Sequence, residues 1–266
     1  MRAVALHPDV LVVTSALLQA NCVMVRGGQG ERAETFVIDS PVLPDELDAL
    51  PALIEQAGFP SPSGLLATHG DWDHLLGRVA FPGLALGVAE STAARLSAQP
   101  GTAQRELRSF DEQLYIERPR PLALGSVQAL PIPGRCDIAD CELELHPADG
   151  HTRDGMAIVI GWARVLVVGD YLSEIEIPTL NEAGGVEAYL ATLERLRGLV
   201  ASAEHVVPGH GPIADSARAL AVLDEDVAYL QALAENGVEA ELPLARSGSA
   251  QRRLHRENMS RTCHAG

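Results

Sequence analysis

Residues 68–74 read THGDWDH, and this heptapeptide decides how the rest of the sequence is interpreted. Four of its side chains, His69, Asp71, Asp73 and His74, carry a nitrogen or oxygen atom that can bind a metal ion. Burying imidazoles and carboxylates without partners costs free energy, so such a cluster needs either bulk water or a cation. The remainder of the chain indicates which.

Three further stretches place a candidate ligand directly after a predicted strand. They are DGHTRDG with His151, VVGDYL with Asp170, and VVPGHGP with His210. Each lies in a turn rich in glycine or proline, where the backbone can bend tightly and let side chains converge. Loops at strand ends on a rigid scaffold are common places for binding and catalytic sites.

The pattern of apolar runs predicts strands and helices in two successive groups. Apolar runs of strand length between turn residues predict β-strands at DVLVVT, NCVMVRG, ETFVIDS, GLLATH, SVQALP, CELELHP, MAIVIGW, RVLVVGD and HVVPG. Helical spacing predicts α-helices over residues 44–57, 75–81, 90–98, 103–115, 186–199 and 214–234. Strands followed by helices, twice over, predict two sheets that pack together with helices outside.

The four ligand-bearing motifs, taken in order, resemble the metallo-β-lactamase-fold superfamily over roughly residues 10–235. The resemblance implies an α+β fold, an αββα sandwich of two mixed β-sheets flanked by helices, with a metal pair at the edge between the sheets. Residues 1–240 would form this domain, and residues 241–266 a basic C-terminal helix or tail.

The resemblance also implies seven metal ligands, drawn from all four motifs. For the first cation they are His69, Asp71 and His151; for the second, Asp73, His74 and His210; Asp170 bridges the two.

Position 71 departs from the family pattern, which usually reads His-x-His-x-Asp-His. Asp71 adds a carboxylate and hardens the ligand set, which moves the metal preference away from zinc toward iron or manganese. We expect two divalent cations, with zinc first and iron or manganese as the alternatives.

A second departure is VIDSP, where the family has Asp-x-Gly. Asp39 is expected either to support a ligand or to cap the helix after Pro44.

The resemblance implies a metal-dependent hydrolase in which a metal-bridged hydroxide attacks an ester, a thioester, a lactone or a related bond. Asp73 would orient the water or carry a proton to the leaving group, in competition with simple ligation. Two alternatives stay open. One is a diiron or mononuclear iron oxidoreductase or oxygenase, although the flavin domain of flavodiiron relatives does not fit in this chain. The other is a non-catalytic protein with a structural metal site.

Composition restricts the partners. The 266 residues carry a formal charge of −16, and all 20 basic residues are arginine, which argues against nucleic acid as a partner.

The apolar stretch VLVVTSALLQA is too short to span a bilayer and lacks a preceding basic segment, so we expect neither membrane association nor export. The four scattered cysteines imply no disulfide framework. A small-molecule substrate and a cytoplasmic location are the resulting expectations.

The C-terminal segment differs from the acidic remainder of the chain. Beyond Leu244 it carries five arginines against one glutamate, and residues 249–261 are predicted to form a short helix anchored by Leu254 and Met259. This helix could be a lid over the site, a solvated tail or a contact in a homodimer. Weak candidates for substrate binding are His255, Asn258 and Trp72.

Overall fold

The computed structural model describes residues 1–180, 185–237 and 240–262, and it has two mixed β-sheets. The first sheet has seven strands in the order β1-β2-β3-β4-β5-β6-β7. Its first four strands pair antiparallel, and β4 to β7 pair parallel. The strands are β1 (Arg2–His7), β2 (Val10–Thr14), β3 (Asn21–Gly27), β4 (Glu34–Ile38), β5 (Gly64–Leu66), β6 (Leu86–Ala89) and β7 (Val127–Leu130).

The second sheet has six strands in the order β13-β12-β11-β10-β9-β8. Strands β11 and β12 pair parallel, and the other neighbours pair antiparallel. The strands are β8 (Gly134–Ile138), β9 (Cys141–Pro147), β10 (Met156–Ile160), β11 (Val165–Gly169), β12 (His205–Pro208) and β13 (Ala214–Asp215).

Seven α-helices lie in the described part of the chain, and helices cover the outer faces of both sheets. Helices α5 and α6 pack together on the second sheet, and α1, α2 and α4 contribute to the core outside the first. The helices are α1 (Pro44–Gln56), α2 (Gly77–Ala80), α3 (Glu90–Ala98), α4 (Thr102–Leu114), α5 (Val186–Ser202), α6 (Ser216–Asn236) and α7 (Ser249–Thr262).

Alternation along the strands produces the layered core. In β3, Val23 and Val25 face the second sheet, whereas Cys22 and Met24 face the helices. Because side chains in a strand point to opposite faces in turn, a strand covered on both sides must be apolar at nearly every position. This explains why the central strands read as continuous apolar runs, and it confirms the predicted αββα sandwich.

The structure adds elements that the sequence did not predict and shortens one that it did. Strands β1, β6, β8 and β13 were not predicted. The helix predicted over residues 75–81 is only the single turn α2, preceded by a 3₁₀ turn at Trp72–His74. Among the described residues, none of the helices combines the length and the apolar character that a bilayer crossing requires.

Candidate metal centre

The heptapeptide leaves the first sheet at the end of β5 and turns back over the sheet edge. Its 3₁₀ turn orients Asp73 and His74 inward, and both are buried. Trp72 points the other way, with its ring 4.5 Å from that of Phe110 on α4. Trp72 therefore packs the turn against a helix.

The other three motifs reach the same place from the second sheet. The loop containing His151 joins β9 to β10, Asp170 follows β11, and His210 follows β12. The edges of the two sheets are joined here, since Met156 N donates to Thr68 O at 2.7 Å. Gly209 has to be glycine, because a Cβ atom there would collide with Oδ1 of Asp170.

The first group of ligand atoms consists of His69, Asp71 and His151. Oδ2 of Asp71 lies 3.5 Å from Nε2 of His69 and 3.7 Å from Nε2 of His151. Oδ2 of Asp170 completes the group at 3.7 Å from His69 Nε2 and 3.4 Å from His151 Nε2. Four ligand atoms thus converge on one point.

The second group consists of Asp73, His74 and His210. Oδ2 of Asp73 lies 3.3 Å from Nε2 of His210 and 4.0 Å from Nε2 of His74. Oδ1 of Asp170 lies 3.1 Å from His74 Nε2 and 3.4 Å from His210 Nε2. Asp170 therefore presents one oxygen to each group.

These separations fit divalent cations. A tetrahedral ion that lies about 2.1 Å from each ligand holds neighbouring ligands about 3.4 Å apart. Among the described residues, Nε2 of His69, Nε2 of His74 and Oδ1 of Asp170 are buried without a hydrogen-bond partner. A buried polar atom normally finds a partner, so unsatisfied atoms facing one another at this spacing indicate a site for cations.

The far sides of the second group's imidazoles are held by acceptors from distant parts of the chain. His74 Nδ1 lies 3.0 Å from Oδ2 of Asp39, and His210 Nδ1 lies 3.1 Å from the carbonyl oxygen of Leu18. In a neutral imidazole, a proton on Nδ1 leaves Nε2 unprotonated and directed into the cluster, as metal binding requires. The role expected for Asp39 as a support is confirmed, and α1 is capped at Leu43 instead.

The tyrosines after β11 fix two of the ligand loops. The hydroxyl oxygen of Tyr171 accepts hydrogen bonds from the backbone N–H groups of Gly150 and His151, at 2.6 and 2.7 Å. The hydroxyl of Tyr189 donates to the carbonyl of Asp170 at 3.1 Å. Burial raises the pKa of Tyr171, which keeps its hydroxyl neutral. These contacts fix the positions of His151 and Asp170 relative to each other.

The charges of the cluster hold its members in complementary ionisation states. Burial alone would raise the pKa of the Asp170 carboxyl, but the imidazoles of His210, His74 and His69 bring that pKa well below its usual range. Burial would lower the pKa of His74, but Asp39, Asp170 and Asp73 raise it well above its usual range. The cluster is therefore carboxylate-rich and attracts positive charge, whether protons or metal ions.

The weak substrate-binding candidates in the C-terminal helix lie in structural contacts. Residues 249–262 form α7, and Leu254 and Met259 pack against the core as predicted. Asn258 has no exposed surface, and its amide bonds the main chain of Leu180 and Pro178. His255 contacts the Tyr229 hydroxyl at 2.9 Å. We therefore assign neither residue a substrate contact, because both are occupied within the fold.

Apart from Asp39, sequence reasoning missed the residues that support the candidate ligands. Arg95 and Asp154 connect α3 to Asp71, and Tyr171, Tyr189 and the Leu18 carbonyl hold the ligand loops. Two members of this set lie within quoted motifs: Asp154 in DGHTRDG, three residues after His151, and Tyr171 in VVGDYL, directly after Asp170.

The sequence model of the metallo-beta-lactamase superfamily matches residues 16–210. This range contains all four ligand motifs and most of both sheets. No curated protein has a sequence that matches this chain.

Solved structures with the same fold come from several proteins. A metallo-beta-lactamase family protein from Thermus thermophilus is 21% identical, with a TM-score of 0.67 over 87% of this chain and 82% of that one. An inverting sec-alkylsulfatase from Pseudomonas sp. is 13% identical, with a TM-score of 0.69 over 98% of this chain and 50% of that one. A protein solved in a di-iron-bound form is 21% identical, with a TM-score of 0.57 over 78% of this chain and 95% of that one.

Proposed function

This chain belongs to the metallo-β-lactamase superfamily, and we propose that it is a hydrolase that binds two divalent cations through seven side chains. The observation that carries the proposal is the position of Asp170, with one carboxylate oxygen facing each of two ligand groups. A site that holds one structural ion would need only one such group. Two adjacent groups that share a carboxylate are suited to a pair of ions and a reaction between them.

The chain's residues hold and orient the reacting groups. When bound, two cations would lower the pKa of a coordinated water molecule toward about 7 and polarise the bond to be cleaved. We assign Asp73 the transfer of a proton to the leaving group, in addition to ligation. Its Oδ2 atom lies 3.3 Å from His210 Nε2, at the edge of the second ligand group.

We propose an uncharged acyl compound as the substrate: an ester, a thioester or a lactone. Three arginines that contact Asp71 or the loop after Asp170 are already used within the fold. Arg95 holds two carboxylates, and Arg246 and Arg261 donate to main-chain carbonyls. These cations are therefore not available for a phosphate or sulfate group, which would need a strong charge-assisted partner. The formal charge of −16 supports the same choice.

The experiment combines metal content with a substrate panel. The full chain is loaded with zinc and assayed on esters, thioesters, lactones, a phosphodiester and a sec-alkyl sulfate, before and after removal of metal with a chelator. We expect two equivalents of metal and turnover of an acyl substrate that chelation abolishes. Asp170→Asn should lose at least one equivalent and slow turnover by about a hundredfold or more, because the amide nitrogen cannot replace a bridging carboxylate oxygen.

Asp224→Asn is the matched control, since Asp224 is exposed on α6 and pairs with Arg197. It should keep both metal equivalents and full turnover. Full activity in a metal-free preparation, or an Asp170→Asn variant with unchanged metal content and rate, would contradict the proposed function.

Asp71 favours a second candidate, a diiron oxidoreductase on the same scaffold. A carboxylate at this position makes the ligand set harder, and one protein of the same fold has been solved in a di-iron-bound form. This candidate predicts iron in the purified protein, visible absorbance and no zinc-dependent hydrolysis. Elemental analysis and an absorption spectrum of the same sample separate it from the hydrolase.

A further inference from the structure

Asp71 lies between the first ligand group and an arginine. Its Oδ2 atom faces the imidazoles of His69 and His151, at 3.5 and 3.7 Å. Its Oδ1 atom accepts a hydrogen bond from Arg95 Nη2 at 2.6 Å. The two oxygens of one carboxylate are thus divided between the cluster and a cation of the protein itself.

The other arm of Arg95 is also fixed. Arg95 Nη1 donates to Oδ1 of Asp154 at 2.8 Å, and Oδ2 of Asp154 accepts from the backbone N–H of Gly70 at 3.0 Å. Asp154 is 1% exposed, whereas the side chains of Arg95 and Asp71 are partly exposed, so the network is buried at its Asp154 end. It connects α3, the heptapeptide and the loop of His151, which are the elements that position the first ligand group.

The positive charge of Arg95 changes both the net charge of the first ligand group and the number of carboxylate oxygens free to bind a cation. An imidazole at position 71 would be a neutral ligand, whereas Asp71 adds one negative charge. Arginine stays protonated at all pH values at which proteins fold, so Arg95 always places a positive charge beside Asp71, which it shares with Asp154. It also occupies one of the two oxygens with which a carboxylate can bind a hard cation.

Both effects of Arg95, the added positive charge and the occupied carboxylate oxygen, favour zinc over manganese and ferrous iron. Oxygen-rich and strongly negative sites favour manganese and ferrous iron relative to zinc, while sites rich in imidazole favour zinc. By offsetting part of the charge of Asp71 and restricting it to one free oxygen, Arg95 moves the first ligand group toward the balance that a third histidine would give.

We propose that Arg95 is a positioning residue that sets the metal selectivity of the first ligand group in favour of zinc. This inference rests on the proposed function, since it requires the cluster to bind cations. Asp154 holds the guanidinium in the orientation that this role requires.

The test measures binding of zinc alone and of manganese alone to the metal-free full chain, by competition with a fluorescent chelator. For Arg95→Met we expect the ratio of zinc affinity to manganese affinity to fall about tenfold, within the tenfold to hundredfold range of residues that hold a ligand. A ratio cancels any general loss of binding that a less stable protein would show. Arg197→Met is the matched control, since Arg197 pairs with Asp224 and Glu194 on the outer helices, and its ratio should equal that of the wild type.

The same substitution in an Asp71→His variant distinguishes a role of Arg95 in metal selectivity from a purely structural support of α3. In Asp71→His the ligand is neutral and there is no charge to offset, so adding Arg95→Met should leave the zinc-to-manganese ratio unchanged. A purely structural role predicts the same effect of Arg95→Met in the wild type and in Asp71→His, and that result would overturn the proposal.

Arg95→Lys keeps the charge but not the two-armed contact, so it should give an intermediate ratio of zinc affinity to manganese affinity. It also provides the test if Arg95→Met does not fold; a Lys ratio equal to that of the wild type would then overturn the proposal.

The outcomes distinguish this proposal from the proposed function. A wild-type chain that binds neither ion would overturn the proposed function, and this inference with it. A wild-type chain that binds two ions, together with an Arg95→Met ratio equal to that of the wild type, would overturn the role of Arg95 alone.

Discussion

Asp39 controls the orientation of His74 through three contacts. Its Oδ1 accepts from Thr68 N at 2.8 Å, and its Oδ2 accepts from Thr68 Oγ1 at 2.9 Å and lies 3.0 Å from His74 Nδ1. Its backbone is in the left-handed region, with a φ of 56°, which aspartate and asparagine adopt more readily than most residues. An asparagine there changes the side-chain chemistry without straining the turn.

Asp39→Asn should therefore weaken the second metal site specifically. An amide nitrogen facing His74 cannot accept its Nδ1 proton, so the imidazole loses its support, and we expect the affinity for the second cation to fall about tenfold to a hundredfold. A zinc titration that resolves both binding steps measures this. The exposed Asp48, which pairs with Arg120, supplies the control Asp48→Asn. Equal affinity of wild type and Asp39→Asn for both ions would contradict this role.

At the scale of residues, the sequence predicted which candidate ligands converge and the support from Asp39, but not the other supports. The heptapeptide is recognisable because four ligand-type side chains lie within seven consecutive positions. Arg95, by contrast, lies 24 positions from Asp71 in an ordinary helical sequence. The Leu18 carbonyl that holds His210 comes from the backbone, which every residue carries, so no residue type could have indicated it.

The C-terminal segment supports the loop that follows Asp170. Side chains of Arg246, Gln251, Asn258 and Arg261 bond to main-chain groups between Ser173 and Leu180. Arg246 is buried and pairs with Asp226 at 2.6 Å. A loop without regular structure has no ladder partners for its main chain, so these side chains satisfy groups that would otherwise be buried alone.

Asn258→Ala should destabilise the protein. It leaves the N–H of Leu180 and the carbonyl of Pro178 without their partner, at a cost of about 1–3 kcal/mol for each buried group. A total of about 2 kcal/mol lowers the Tm of a domain of this size by roughly 4–8 °C. Thermal unfolding followed by circular dichroism measures the shift.

Glu257→Ala is the control for this prediction, because Glu257 is exposed on the same helix. It should unfold within about 1 °C of the wild type. An Asn258→Ala variant as stable as Glu257→Ala would show that the contacts of Asn258 do not stabilise the loop.

At the scale of elements, two of the strands that the sequence failed to predict, β1 and β8, have weak apolar patterns, whereas β6 is a buried run of only four residues and β13 has only two. Strand β1 has no fully buried residue, and β8 alternates polar and half-buried positions over Gly134–Ile138. Their β-structure comes from pairing with β2 and β9, which is a tertiary contact and not a local preference. The central strands were predictable because they are covered on both faces.

The whole molecule brings together residues that are far apart along the chain. The side chain of Asn21, in β3 of the first sheet, donates to the carbonyls of Pro208 and Gly211, each at 2.9 Å, around His210 of the second sheet. These contacts span 187 and 190 positions. The motif order and the family resemblance led to the expectation that such groups converge, but the pairing that achieves it could not be derived from local sequence.

Anomalous diffraction from crystals of the zinc-loaded protein, recorded at the zinc absorption edge, tests the central claim most directly. We expect two peaks, one among His69, Asp71 and His151 and one among Asp73, His74 and His210, with a carboxylate oxygen of Asp170 beside each. Absence of any peak at this edge of the sandwich, or a single ion with Asp170 turned away from it, would contradict the account.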